Sequence, residues 1–270
     1  MPELPEVEST VRYLSSRVLG HKICGVEVRW SRTVQSPGTE EFKKTLLGAR
    51  ILQVSRRGKY IRIELQSVAQ KTYFLFSHLR MTGSFDVVKA EAVGSAHDRV
   101  VFALNNGTEV RFSDTRKFGR FMLSSDPEAC TKKLGPEPLD SAFTPAVLAS
   151  ALKSRKGRIK SVLLNQSVVA GLGNIYVDEC LWRAKIHPLT PALKISQHRI
   201  LDLHKSIRHV LEEAISKAGT DFGDGVVDYG MYQPKVYGRT KQTCHRCKAE
   251  IKRIIVGQRS THYCPQCQKR

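Results

Sequence analysis

Four cysteines near the C-terminus have the spacing of a metal site. They form the pattern Cys244-x2-Cys247-x16-Cys264-x2-Cys267. Two such knuckles can close a tetrahedral shell of four thiolates around zinc, with a β-hairpin between them. A disulfide framework is the alternative, and it is disfavoured in a cytosolic chain. A four-sulfur shell leaves no open coordination position, so one structural Zn²⁺ per chain is predicted.

The first eight residues, Met1–Glu8, offer an unusual nucleophile. Removal of Met1 leaves Pro2 with a free secondary amine, one residue from the carboxylate of Glu3. An α-amino group titrates near about 7.7–8.0, so part of it is unprotonated at neutral pH. Its addition to a sugar aldehyde carbon gives an iminium, which acts as an electron sink. If Met1 is retained, the Pro2 nitrogen is an amide and the segment serves only as a rigid start before a helix.

Two further segments combine basic or glycine residues with predicted elements. Lys59 follows two arginines at the start of a predicted strand, where it is either a catalytic or phosphate-contacting lysine or an exposed basic strand end. Gly171 and Gly173 precede a predicted helix, where glycines let a phosphate approach the backbone. Asn174 can cap that helix and donate to a phosphate. No strand precedes these glycines and the third glycine is missing, which excludes a dinucleotide site.

The composition indicates a globular chain with a polyanionic partner. The 270 residues carry a formal net charge of +19, the pI is about 9.8, and 41 % of the residues are apolar. Such an excess of basic residues favours nucleic acid. No apolar run approaches the roughly 18 residues of a membrane span, and no signal segment is recognisable, so a cytoplasmic protein is predicted. The isolated cysteines Cys24, Cys130 and Cys180 are expected in or near the core.

The hydrophobic periodicity divides the chain into two halves. A helix is predicted over residues 5–19, and a period of two between residues 22 and 124 predicts a β-sandwich or barrel. Asn105-Asn106-Gly107 is typical of a hairpin turn. Residues 132–138 read as a linker. Beyond it, helices are predicted near 144–153, 160–164, 174–184 and 200–218, followed by a hairpin of 251–256 and 260–263 that turns at Gly257.

Several segments together resemble the bacterial formamidopyrimidine-DNA glycosylases over nearly the whole chain. They are Met1–Glu8, Leu134–Pro138, Val169–Tyr176, Val236–Arg239 and the cysteine hairpin. The resemblance implies an α+β protein with an N-terminal β-sandwich and flanking helices. A helical helix–two-turns–helix domain and a β-hairpin zinc finger would follow, with a DNA groove between the halves. The expected boundaries are 1–131 for the catalytic domain, 132–143 for the linker, 144–235 for the helical domain and 236–270 for the zinc finger.

The resemblance also implies an activity and the residues that perform it. The activity is base excision repair by a DNA glycosylase and AP lyase, which removes formamidopyrimidines and 8-oxoguanine through a proline Schiff base and β,δ-elimination. Pro2 would be the nucleophile, Glu3 the acid/base group, Lys59 a catalytic aid and Glu6 a supporting residue. The implied DNA-binding residues are Met81, His97, Arg116, Phe118, Asn174 and Arg259. The expected partner is damaged double-stranded DNA, bound by a monomer in the bacterial cytoplasm at the nucleoid and not at a membrane.

One segment departs from the family pattern, and two other functions stay open. Residues 219–235 look shorter than usual and contain the run Asp221–Gly225. A mobile loop with weaker discrimination between purine and pyrimidine lesions is therefore predicted. The first alternative is an oxidised-pyrimidine glycosylase with the same mechanism, which Leu4 and Pro5 disfavour. The second is a non-enzymatic zinc-hairpin binder of damaged DNA, and a free Pro2 would distinguish the enzyme from it.

Overall fold

The chain folds into two compact units of α+β architecture. The computed structural model describes residues 1–221 and 230–270. The first unit contains Met1–Pro2 and Glu6–Lys132, and the second contains Glu3–Pro5, Lys133–Thr220 and the C-terminal segment. The central part of the loop predicted over 219–235, residues 222–229, lies outside the described residues.

Two sheets form the N-terminal part. The helices and strands are α1 (Leu4–Val18), β1 (Ile23–Val28), β2 (Val34–Ser36), α2 (Thr39–Leu46), β3 (Arg50–Arg57), β4 (Tyr60–Gln66), β5 (Thr72–His78), β6 (Gly83–Lys89), β7 (Asp98–Leu104), β8 (Thr108–Asp114) and β9 (Arg120–Ser124). One sheet has the order β1-β7-β8-β6 and the other β2-β9-β5-β4-β3. Neighbouring strands are antiparallel except for β2 and β9. The predicted turn at 105–107 joins β7 to β8.

Aromatic side chains from both sheets meet in the core. Phe121 of β9 lies 4.9 Å from Phe112 of β8 and 5.9 Å from Phe102 of β7, measured between ring centroids. This contact between strands of different sheets confirms the sandwich. Helix α1 covers the same core with the apolar residues that predicted it, Val7, Val11, Leu14 and Val18.

The second unit consists of helices and a hairpin. Its elements are α3 (Pro145–Lys153), α4 (Ile159–Leu164), α5 (Asn174–Arg183), α6 (Gln197–Ser216), β10 (Lys252–Val256) and β11 (Arg259–Tyr263). Side-chain oxygens of Thr144 and Ser196 cap α3 and α6. The linker segment packs closely, since a Cβ at Gly135 would lie 2.7 Å from the carbonyl oxygen of Ser167. Among the helices of the described residues, none has the length and apolar content needed to cross a membrane.

One expectation about the isolated cysteines was wrong. Cys24 is exposed, because it lies at a β-bulge between Ile23 and Gly25 on the edge strand β1. Cys180 is buried as predicted, and Cys130 is half-buried. The described ends of the segment 219–235 form backbone hydrogen bonds, and the mobile loop predicted there falls mainly on residues outside the described ones. Met231 N–H donates to the Lys217 carbonyl, Tyr232 N–H donates to the Gly219 carbonyl, and the Tyr232 side chain is buried.

Candidate active site and nucleic-acid interface

The carboxylate of Glu3 lies at the N-terminus of helix α5. Its Oε1 accepts a hydrogen bond from the backbone N–H of Ile175 at 3.0 Å, and its Oε2 accepts one from Tyr176 at 3.3 Å. Glu3 is buried, with 2 % of its surface exposed. The first N–H groups of a helix have no partner within the helix and attract negative charge. Helix α5 therefore orients a buried acidic group at a fixed position.

The two glycines of the Val169–Tyr176 segment make room for the N-terminal residues. A Cβ at Gly173 would lie 2.2 Å from the carboxyl carbon of Glu3, and one at Gly171 would lie 2.6 Å from Leu4. The Leu4 N–H also donates to the Gly171 carbonyl at 3.1 Å. We expected these glycines to let a phosphate approach the backbone. That expectation is corrected, because the N–H groups of Ile175 and Tyr176 at the start of α5 bind the carboxylate of Glu3.

Asn174 is the first residue of α5 and not its cap. The N-cap is Gly173, which provides no side-chain hydrogen bond. The predicted capping role of Asn174 was therefore wrong, because Glu3 satisfies the N–H groups that a cap would bind. The side-chain oxygen of Asn174 is buried without a hydrogen-bond partner in the described part of the chain. Its neighbour Tyr237 is half-buried, and burial raises the pKa of the Tyr237 phenol.

A buried ion pair joins α4, α5 and the hairpin behind Asn174 and Arg259. Lys160 Nζ lies 2.5 Å from Asp178 Oδ1, and both side chains are fully buried. Asp178 Oδ2 accepts the backbone N–H of His262 on β11 at 2.8 Å. Burial lowers the pKa of Lys160, and the neighbouring Asp178 opposes that shift. The pair fixes β11, whose first residue is the exposed Arg259, against the helix that begins with Asn174.

A second buried carboxylate on α5 holds the segment that leads into the zinc module. Glu179 accepts backbone N–H groups from Lys235, Val236 and Tyr237 at 2.7 to 2.9 Å. Burial raises the pKa of Glu179, and the three N–H donors oppose that shift. The Val236–Arg239 motif is therefore attached directly to α5.

The four predicted cysteine ligands converge at one point. The Sγ atoms of Cys244, Cys247, Cys264 and Cys267 all lie within 4.8 Å of one another. Zn–S bonds of about 2.3 Å in a tetrahedron place sulfur atoms roughly 3.8 Å apart, so this cluster has the dimensions of a zinc shell. Backbone N–H groups of Arg246 and Cys267 point at ligand sulfurs at 3.4 Å, as expected around thiolates. The set fits one structural zinc ion, as predicted.

The zinc module is anchored on α5 through Trp182. The indole N–H of Trp182 donates to Cys244 Sγ at 3.4 Å, and the Arg246 guanidinium lies 4.2 Å from the Trp182 ring centroid. Val236 and Ile251 pack in the same small core. The metal site, the hairpin and α5 therefore belong to one packed assembly.

In the first unit, Pro2, Glu6 and Lys59 are all buried. Lys59 is 6 % exposed and precedes β4 in a tight turn with Gly58. This burial contradicts the interpretation of Lys59 as an exposed basic strand end. A buried lysine is costly unless it is paired or has a specific role, so the functional interpretation gains weight.

His78 is a residue of this region that sequence reasoning did not select. Its ring packs edge-on against Tyr60 at 4.9 Å, and its Nδ1 accepts the Arg80 backbone N–H at 3.0 Å. Burial, together with the charges of Arg80 and Lys59, lowers the pKa of His78 to about 3. The ring is therefore neutral at physiological pH and carries its proton on Nε2. Its position at the end of a strand beside a basic turn is the signal that could have identified it.

The remaining predicted DNA-binding residues of the first unit lie on neighbouring loops. Met81 is half-buried, whereas His97 and Arg116 are exposed and Phe118 is 45 % exposed. The Arg116 guanidinium stacks 4.9 Å from the Phe118 ring centroid. Phe118 is therefore not a residue of the hydrophobic core. Its exposed ring, stacked with the Arg116 guanidinium, can insert between bases of the DNA.

Lys160, Asp178 and Glu179 were also missed by sequence reasoning. None of them belongs to a recognisable spacing motif. The available signal was the presence of charged residues within the apolar stretches of α4 and α5, where a buried charge requires a partner.

These features define a class of protein, a DNA repair glycosylase with a β-sandwich, a helical DNA-binding module and a structural zinc hairpin. The sequence model of the formamidopyrimidine-DNA glycosylase N-terminal domain matches residues 1–121, and that of the formamidopyrimidine-DNA glycosylase H2TH domain matches residues 134–224. The model of a zinc finger found in FPG and IleRS matches residues 241–270. The chain belongs to the formamidopyrimidine-DNA glycosylase family.

Individual relatives match the chain over its full length. The formamidopyrimidine-DNA glycosylase of Protochlamydia amoebophila is 45 % identical, with complete coverage of both chains. The Lactococcus lactis enzyme, solved in complex with DNA containing N7-benzyl-Fapy-dG, is 39 % identical and superposes with a TM-score of 0.92 over 100 % of both chains. A second complex of the Lactococcus lactis enzyme contains an oxidised pyrimidine, with the same identity, TM-score and coverage.

The family membership establishes the activity class and confirms the predicted fold. The chain is a base-excision-repair DNA glycosylase with AP lyase activity, and it binds DNA. The alternative of a non-enzymatic DNA-damage binder is therefore not supported.

Proposed function

We propose that the enzyme excises oxidised purines with the amine of Pro2 as nucleophile and Glu3 as its acid/base partner. The observation that carries this proposal is the position of Glu3. The carboxylate adjacent in sequence to Pro2 is buried and oriented by two backbone N–H groups of α5. The Fapy-dG lesion in the DNA bound to the Lactococcus lactis relative supports oxidised purines as the substrate class.

The proposed reaction begins with the trimmed chain, in which Met1 is absent. The unprotonated Pro2 nitrogen forms a bond to C1′ of the damaged nucleotide, and the glycosidic bond breaks. The base leaves with its electron pair and takes up a proton, and the Pro2 nitrogen releases its own N–H proton to solvent. The C1′–O4′ bond then opens as Glu3 delivers a proton to O4′. The resulting iminium between Pro2 and C1′ withdraws electrons from the sugar.

Strand cleavage follows from the acidity that the iminium creates. Loss of a proton from C2′ expels the 3′ phosphate, and loss of a further proton from the conjugated sugar expels the 5′ phosphate. Lys59 is proposed to aid these steps and to contact phosphate, and Glu6 is proposed to help order the site. Each elimination converts one C–H and one C–O bond into a carbon–carbon double bond, so no oxidant or reductant is required.

The proposed DNA contacts fall into two groups. His97, Asn174 and Arg259 bind the phosphate backbone, which positions the duplex without reading its sequence. Met81, Arg116 and Phe118 fill the space that the extruded nucleotide leaves, and this offsets an unstacking cost of a few kcal/mol. The exposure of Phe118 and its stacking with Arg116 support this assignment.

The test is borohydride trapping on duplexes that each carry a single defined lesion. Borohydride reduces the iminium and fixes the enzyme to DNA in a stable covalent complex. Duplexes with a ring-opened purine or 8-oxoguanine should give trapped complexes, and an undamaged duplex should give none. Pro2→Gly tests the nucleophile, and Cys24→Ala, which changes an exposed residue on β1, is the matched control. Cutting of damaged DNA without any trapped complex would contradict the mechanism.

Oxidised pyrimidines form a second candidate substrate class. The Lactococcus lactis relative is also solved with DNA containing an oxidised pyrimidine. We therefore keep the proposal that this enzyme discriminates less strongly between the two lesion types. Deletion of Gly223–Val226, which lies outside the described residues, should change the order of lesion preference and leave cleavage at a ready-made abasic site nearly intact.

We further propose that the enzyme acts as a monomer at the bacterial nucleoid, with domain boundaries at 131, 143 and 235. The bacterial origin of its relatives supports the location. Analytical ultracentrifugation with and without DNA tests the monomer, and limited proteolysis tests the boundaries.

A further inference from the structure

Two loops that carry proposed intercalating residues are attached to one carboxylate. The Met81 loop (residues 79–82) joins β5 to β6, and the Phe118 loop (residues 115–119) joins β8 to β9. Asp114, the last residue of β8, accepts the hydroxyl of Thr82 at 2.5 Å with its Oδ1. The same Oδ1 accepts the backbone N–H of Arg116 at 3.1 Å, and Oδ2 accepts the N–H of Gly119 at 2.7 Å.

The two loops also contact each other directly at this point. The Arg116 backbone N–H lies 3.2 Å from the Thr82 hydroxyl oxygen, so Thr82, Arg116 and Asp114 form a closed triangle of hydrogen bonds. The backbone N–H of Asp114 donates to the His97 carbonyl at 2.9 Å. Asp114 therefore connects three segments that carry proposed DNA-binding residues.

Both loops pack against the ring of Phe112. Phe112 and Asp114 lie on the same face of β8, because side chains alternate along a strand. A Cβ at Gly83 would lie 2.8 Å from the Phe112 ring, and one at Gly119 would lie 2.4 Å from it. The glycines at the ends of the two loops therefore lie against one aromatic ring. A side chain at either glycine would clash with that ring.

The chemistry of the site requires a carboxylate at position 114. Asp114 is 1 % exposed, and the three groups that face it, one hydroxyl and two backbone N–H groups, are hydrogen-bond donors. An ionised carboxylate is an acceptor only and satisfies all three. An asparagine would place its NH2 group against the N–H of either Arg116 or Gly119 and leave a buried donor without a partner.

We propose that Asp114 is a positioning residue that sets the spacing between Met81 and the Arg116–Phe118 pair, and so controls opening of the duplex at the lesion. This inference rests on the proposed function, in which those side chains replace the extruded nucleotide. It assigns no chemical step to Asp114. Its effect is confined to substrates in which a paired base must be removed from the stack.

The experiment compares one lesion in two contexts under single-turnover conditions. In the first duplex, 8-oxoguanine is paired with cytosine, and in the second it is an unpaired bulge. Asp114→Asn should lower the excision rate on the paired lesion by about 10- to 100-fold, since extrusion costs a few kcal/mol and each 1.4 kcal/mol is a factor of ten. The rate on the bulge should fall by less than about threefold. Fluorescence of a 2-aminopurine placed next to the lesion in the same strand should report slower opening of the paired duplex by the same factor.

Asp98→Asn is the matched control. Asp98 is a buried carboxylate at the start of the adjacent strand β7, and it accepts the Ser95 backbone N–H and the Ser113 hydroxyl. Its hydrogen bonds in the described structure do not reach either loop. This variant should lose comparable stability and leave the ratio of the two excision rates unchanged.

The outcomes separate the inference from the proposed function. Equal losses on paired and bulged lesions, or no loss on either, would overturn the positioning role. If the original enzyme excises neither lesion, the proposed function itself fails. If Asp114→Asn does not fold, Thr82→Val removes the hydroxyl bond to Oδ1 and the contact of that hydroxyl with the Arg116 N–H, and it should still lower the paired-lesion rate selectively. An unchanged ratio in that variant would also overturn the inference.

Discussion

The buried ion pair between Lys160 and Asp178 offers a quantitative test of how the second unit holds its DNA-binding residues. The perturbation is Lys160→Met, which removes the charge and keeps a side chain of similar length. Asp178 then remains fully buried with its negative charge. Its remaining partners among the described hydrogen bonds are the backbone N–H and the ring of His262.

The expected loss follows from the complete burial of both partners. Removal of one partner of a buried pair costs about 3–5 kcal/mol, because the remaining charge has no compensation. Asp178→Asn in addition to Lys160→Met removes that charge and retains an oxygen that can accept the His262 N–H. The double variant should therefore recover most of the lost stability. A double-mutant cycle should give a coupling energy of at least about 2 kcal/mol.

The assay is urea unfolding followed by the fluorescence of Trp182. The chain has two tryptophans, so Trp30→Phe in every variant leaves Trp182, which reports on α5 and the zinc module. With a urea dependence of about 2 kcal/mol per molar, Lys160→Met should lower the midpoint by about 1.5–2.5 M. A loss below about 1 kcal/mol, or additive losses in the double variant, would refute the account of this ion pair.

Three further predictions concern the site residues. Glu3→Gln should retain DNA binding and slow sugar-ring opening, and with it strand cleavage, by about 10²–10⁴-fold, because the group that delivers a proton to O4′ is lost. Single-turnover kinetics with a gel-shift control would measure this, and an unchanged rate would remove Glu3 from the mechanism. Cys264→Ala should release zinc and weaken DNA binding because Arg259 is no longer presented, as metal analysis and binding titrations would show, whereas Cys24→Ala should leave both unchanged. Phe118→Ala should impair excision from a paired duplex more than from an unpaired site, and equal losses would indicate a folding defect instead.

The parts of the fold that the sequence predicted correctly depend on local patterns. The spacing of Val7, Val11, Leu14 and Val18 predicted α1, since a helix brings residues three and four apart onto one face. The paired cysteine knuckles predicted the metal site because each knuckle is formed by adjacent residues. In both cases the neighbours that matter lie close together in the chain.

The parts that the sequence could not predict depend on distant partners. Glu3 binds the N–H of Ile175, 172 residues away, and that contact explains why Gly173 lacks a side chain and why Asn174 does not cap the helix. The burial of Lys59 depends on a turn packed within the first unit. Such contacts follow from tertiary packing, which periodicity and spacing do not encode.

The central claim is that the Pro2 nitrogen forms the covalent bond to DNA. The most direct measurement is peptide mapping by mass spectrometry after borohydride trapping on a duplex with a single 8-oxoguanine. The reduced sugar remnant is predicted on the N-terminal peptide, at Pro2, in a chain that has lost Met1. A remnant on a lysine such as Lys59, or efficient trapping by a chain that retains Met1, would contradict the account.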